Sequence, residues 1–208
     1  MIVPGGRDRP SNRRVTDIRR LCAGLRPRPP RIRTYEVVLI PGLLQTPDYA
    51  AAVSRASQIV SLADIDRKAE SRMLRRQVLD APRGPNLTAV IDEAALRKVV
   101  GSHEVMAAQL RFLMGMAAHY KVTVLVVSDE TGAHTAMDGA FTLFDFPRPE
   151  PGIVSIPTGL EALYVEDSAY FDRHALISDA LLNLALGPEP SLALISSIAD
   201  GHDRRADS

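Results

Sequence analysis

His134 lies in the stretch GAHTAMDGAF, with Asp129, Glu130 and Asp138 close by in the chain. An imidazole beside a carboxylate is a common means of moving a proton, so His134 is the first candidate for a general base or nucleophile, with Asp138 as its acid partner. A loop histidine without a role is the competing reading. A second group is LYVED at 163–167, where Tyr164, Glu166 and Asp167 close a strand candidate. Two acids at a strand end either hold a cationic ligand or solvate a loop; in an enzyme, Glu166 would join His134 and Asp138 as a catalytic candidate. In IPGLLQTPDYA at 40–50, Gln45 and Tyr49 are the side chains offered for ligand contact. ESRMLRRQ at 70–77 offers Arg72, Arg76 and Gln77, either an anion or partner contact or a solvated, salt-bridged helix face. Asp92 and Glu93, at the junction of a strand and a helix, read as a capping pair that suits the positive end of the helix dipole.

Other chemistries have no foothold. His103, His119, His134, His174 and His202 have no spacing that sets two on one helical face. The chain has no paired Cys-x-x-Cys, no His-Glu-x-x-His and no glycine-rich phosphate loop. Neither a metal nor a cofactor is expected. The lone Cys22 excludes an internal disulfide framework and fits a reducing cytoplasm. No apolar run approaches the roughly 18 residues of a membrane span, and the N-terminus lacks the apolar core of a secretory signal.

The elements that must position these residues follow from periodicity. TYEVVLI at 34–40 is strand-like or the end of a helix, and Pro41-Gly42 breaks it. Thr46 as N-cap and Pro47 at the first helical position start a helix. A further helix spans 61–81, with Ser61 and Asp64 as a capping-box-like pair. LTAVID (87–92) reads as a strand, EAALRKVVG as a short helix ended by Gly101, and Ser102 as the cap of a longer helix. KVTVLVVS (121–128) has the continuous β-branched texture of a strand buried on both faces. Strands follow at 140–146, 152–157 and 160–165, then a helix to Gly187-Pro188 and a shorter one at 191–199. Strand, helix and strand over 87–128 imply a parallel pair with a right-handed crossover. The expected fold is α/β or α+β, a mixed β-sheet flanked by helices in a single main domain over 34–200, with a frayed tail at 201–208.

Charge is unevenly placed. The chain is neutral overall, with 25 basic and 25 acidic residues. Residues 1–33 are nevertheless rich in arginine and proline, opposed only by Asp8 and Asp17, so the remainder carries a compensating negative excess. This arm is either a nucleic-acid or partner contact or a solvated lead-in docked on the acidic body.

YEVVLIPGLLQTPDYAAAV, RRQ at 75–77, VIDEAALRKVVG at 90–101, MAAQLRFL at 106–113, DGAFTLFDFP at 138–147 and LYVED together resemble one family. It is the domain of unknown function that follows an XRE-type helix-turn-helix in actinobacterial, antitoxin-like transcriptional regulators. The resemblance implies a cytoplasmic, dimeric domain sensing a small-molecule ligand or a small partner protein, with nucleic acid contacted, if at all, through the basic arm. The 33 residues ahead of the motif are too few for that helix-turn-helix. A weaker resemblance is to a phospholipase-D-like half, but His134-Thr135-Ala136 lacks the lysine of its His-x-Lys pair. The alternative function is an enzyme of specialised metabolism evolved from the sensing domain, with its pocket around His134 and the Glu166/Asp167 strand end.

Overall fold

The computed structural model describes residues 31–56, 70, 73–119, 121–147, 149–158 and 162–207. The arm before Arg31 and the Ser61/Asp64 cap lie outside these residues. Six strands form one mixed sheet: β1 (Arg31–Glu36), β2 (Asn86–Asp92), β3 (Val122–Val127), β4 (Phe141–Asp145), β5 (Ile153–Pro157) and β6 (Ala162–Val165), in the order β3-β2-β1-β4-β5-β6. The first three run parallel and the last three join antiparallel. The helices are α1 (Pro47–Ala56), α2 (73–80), α3 (Glu93–Arg97), α4 (His103–Ala117), α5 (Ser168–Leu184) and α6 (Pro188–Ala206).

Both parallel crossovers deliver their helices to the same face of the sheet, as two successive crossovers of one hand must. On that face Ile32, Leu87, Ala89, Ile91, Val122, Val124 and Val126 pack with residues of α1, α2, α3, α4 and α6. The opposite side chains of the strands, Tyr35, Val90, Leu125, Val127, Phe141, Leu143 and Val154, pack with Leu181 of α5. The sheet is therefore the middle of three layers, with apolar side chains of its strands packed on both sides. Thr123 is the exposed exception in β3. No single helix among the described residues is long and apolar enough to cross a membrane.

Several boundaries differ from the sequence pattern, each for a local reason. Arg31, the first described residue of β1, already pairs with both β2 and β4, and the Arg33 side chain bonds Asp179 of α5 at 2.7 Å. Helix α3 stops at Arg97, four residues before Gly101. Residues 201–206 belong to α6, which runs to Ala206, with His202 buried and Asp203 bonded to Arg111 of α4. α6 also closes the free edge of β3. Leu186 N–H donates to the Val126 carbonyl at 2.8 Å, Val126 N–H donates to Ser191 Oγ at 3.0 Å, and Ser191 in turn donates to the Leu186 carbonyl. Covering a strand edge in this way removes a pairing template that would otherwise invite other chains.

Candidate functional site at the carboxyl edge of the parallel strands

β1, β2 and β3 all end at one edge of the sheet, where ligands of open α/β folds are usually bound. Tyr35, next to last in β1, and Asp92, last in β2, both project on the α5 side. The chain leaving β3 makes a 3-10 turn at Asp129–Thr131 and returns to β4 through 132–140. Gly132 (φ 68°) and Gly139 (φ 137°) bracket this strap in backbone conformations that side-chain-bearing residues rarely adopt.

Two consecutive acids hold the strap. Glu93, buried, accepts the Asp129 N–H at 3.0 Å and the Arg97 Nε at 2.7 Å. Asp92 divides its oxygens: Oδ1 caps α3 through the Ala94 N–H at 3.0 Å, and Oδ2 accepts the Tyr35 hydroxyl at 3.3 Å. His134 Nε2 stands 3.3 Å from that hydroxyl and 3.8 Å from Oδ2, with the two rings edge to face. Ala136 N–H donates to His134 Nδ1 at 3.3 Å, so the neutral ring carries its proton on Nε2 and donates to Tyr35. The result is a directed chain from His134 through Tyr35 to Asp92. Burial, and after it the Asp92 carboxylate, push the Tyr35 phenol well above its ordinary range. Tyr35 is thus a hydrogen-bond donor and not a nucleophile. Next to it Phe141 packs edge-on against His174 of α5, whose Nδ1 donates to the Tyr170 carbonyl at 2.9 Å.

The other sequence candidates fall elsewhere. Asp138 is exposed on the strap. Gln45 and Tyr49 lie on the opposite face, where the IPGLLQTPDY segment is stapled to itself and to α4. Gln45 Nε2 donates to the Ile40 carbonyl at 2.7 Å, and the Tyr49 hydroxyl accepts the Ile40 N–H at 3.1 Å. Gln109, fully buried on α4, accepts the Thr46 N–H at 2.7 Å and donates to the Leu44 carbonyl at 2.8 Å. Thr46 Oγ1 accepts the Tyr49 N–H at 3.3 Å as an N-cap. Arg76 joins this assembly, its guanidinium lying 4.8 Å above the Phe112 ring and 3.5 Å from the Gln45 carbonyl, whereas Gln77 is exposed. These contacts make the segment a fixed helix entry.

Tyr164, Glu166 and Asp167 sit at the far end of the sheet. Val165 pairs opposite Val154, Val154 opposite Leu143, and Leu143 opposite Arg33. Glu166 is therefore three strands from Tyr35, about 14 Å, and displaced toward the amino edge by about 10 Å more. Asp167 caps α5 by accepting the Tyr170 N–H at 2.7 Å. The structure does not bring this acid pair to His134; it brings Asp92 and Tyr35. Sequence reasoning read Asp92 as a helix cap and did not single out Tyr35. The available signal was the period of two: Tyr35 is in register with Val90, and Asp92 follows on the same face. Among the described residues no group of three or more His, Cys, Asp or Glu stands together as a metal-binding cluster.

A family model described as Domain of unknown function (DUF5753) matches residues 22–197. The chain belongs to this family. The match spans the whole sheet, both crossovers and α5, so the carboxyl-edge site lies within the family domain. No curated protein and no solved structure matches the chain.

Proposed function

We propose that this DUF5753 domain is a small-molecule-sensing effector domain of the kind that serves helix-turn-helix regulators, and that the 132–139 strap is its responsive element. One observation carries the reading: both ring nitrogens of His134 are already engaged, one by Tyr35 and one by the strap's own Ala136 N–H. A general base needs a lone pair facing its substrate, and this imidazole presents none. A sensor instead needs polar groups that are satisfied before the ligand arrives and can change partners when it does. The His134, Tyr35 and Asp92 chain meets that need, because it links three separate segments only through side chains.

The enzymatic alternative requires His134 to leave the latch, and its acids at 166–167 to cross the sheet. Phosphodiesterase chemistry of the phospholipase-D kind has the further obstacle of Thr135-Ala136 after the histidine. The test is to incubate the purified protein with a small-metabolite extract, remove unbound material by filtration, and identify what is retained. A sensor keeps a compound and returns it chemically unaltered after prolonged incubation. Recovery of a converted compound would establish turnover and overturn the proposal, as would retention of no compound at all.

A further inference from the structure

A second pair of histidines, outside this site, joins three helices. His103 is the first residue of α4, and His202 lies near the end of α6 with only 1% of its surface exposed. Their Nδ1 atoms are 2.8 Å apart, their ring centroids are 5.1 Å apart, and His202 Nε2 lies 3.4 Å from the Leu96 carbonyl of α3. A carbonyl only accepts, so Nε2 of His202 must carry a proton. The Nδ1 of neutral His202 is then a lone pair, and it takes the proton of His103 Nδ1. With both bonds intact, the pair holds at most three protons on its four nitrogens. A fourth would set two N–H groups against each other at hydrogen-bond distance.

We propose that His103 and His202 form a proton-operated lock that ties the end of α6 to α3 and α4, closed while the pair carries no more than three protons and opened when His202 is protonated beside an already charged His103. The groups around it bias the lock without removing it. Burial, His103 and Arg205 all oppose a charge on His202, while the Leu96 carbonyl and Asp203 favour one. Asp203 is itself engaged by Arg111, which also approaches Asp200. On α4, Glu104 adjoins His103. Burial dominates, and His202 is held below the ordinary histidine range. The sign follows from linkage. The unfolded histidine gains its proton near pH 6.5 and the folded one only at lower pH. In that window the open or unfolded state binds the extra proton, so the locked state is most favoured above it and weakens as pH falls. Opening would uncover Ile198 and Ala199, which the end of α6 buries against the core.

Hydrogen exchange of the full chain, corrected for intrinsic pH dependence, tests the lock. Protection of amides in 197–206 should fall by up to about tenfold per pH unit below about 6.5, with the β1–β2 amides unchanged over the same range. His202→Asn keeps an acceptor near the Nδ1 position but cannot titrate, and should abolish the dependence. If that variant fails to fold, imidazole ¹⁵N titration of the wild type decides. Coupled titration with a protonated Nε2 on His202 supports the lock. Two independent histidines titrating near 6.5, or protection that does not change with pH, overturns it.

Discussion

The two faces of the sheet use their polar side chains differently. On the face of the crossover helices, side chains serve the backbone: Gln109 holds Leu44 and Thr46, Gln45 and Tyr49 hold Ile40, and Ser191 holds Val126. Lys121 likewise donates to the Ala81 carbonyl at 2.6 Å. A buried backbone group that loses its partner has no substitute, so such bonds fix a single geometry. On the α5 face, at the carboxyl edge, the bonds of Tyr35 and those of Asp92 Oδ2 and His134 Nε2 run between side chains. Those can be exchanged for a ligand's groups without unravelling a strand. The first face builds the domain, and under the proposed sensing function the second is where it responds. His103 and His202, like Arg111 and Asp203, bond one side chain to another on the helical face, and it is at the histidine pair that a proton can act.

Substitutions on the two sides should separate stability from response. Gln109→Leu strands the Leu44 carbonyl and the Thr46 N–H, and should lower unfolding free energy by about 3 kcal/mol. It should shift the urea midpoint and leave strap exchange at 132–139 unchanged. Asp92→Ala removes a helix cap and the end of the latch, a loss of about 2 kcal/mol. Its distinguishing mark is faster hydrogen exchange confined to the strap, by about tenfold. Equal acceleration across α4 would erase the contrast between the faces. Tyr35→Phe removes one hydroxyl bonded to a carboxylate and should cost about 1 kcal/mol.

In the wild type, Tyr35 keeps its proton at pH values where an unfolded tyrosine, with a pKa near 10, has lost it. The folded state then binds the extra proton, so stability falls as pH rises above about 10. Absorbance titration of the phenolates, compared between wild type and Tyr35→Phe, should show one tyrosine that ionises only with unfolding. A full complement of normally titrating tyrosines would contradict the buried donor. Gln77→Ala, on an exposed position, should change stability by less than about 0.5 kcal/mol and serves as the control.

The sheet was largely legible in the sequence, because strands β2 to β6 carry β-branched or alternating runs and the Thr46, Asp92 and Ser102 caps are local signals. The end of α6 was not: HDRR reads as a solvated tail until Arg111, on another helix, supplies the partner of Asp203. Half of the site was legible. His134 stood out because a histidine between glycines in a strand-end loop has few structural reasons to be there. Its partners did not, since Tyr35 and Asp92 are 57 residues apart and meet only through the β1–β2 register. Glu166 and Asp167 misled for the complementary reason. Their proximity to a strand end is real, but β6 is antiparallel to β5, and its end faces the other edge of the sheet.

The most direct test is native mass spectrometry of wild type, Tyr35→Phe and Gln77→Ala after exposure to the same small-metabolite extract. A sensing latch predicts an adduct of constant mass on wild type and on Gln77→Ala, and its loss or marked weakening on Tyr35→Phe. Equal retention by all three proteins, or no adduct on any of them, would contradict it.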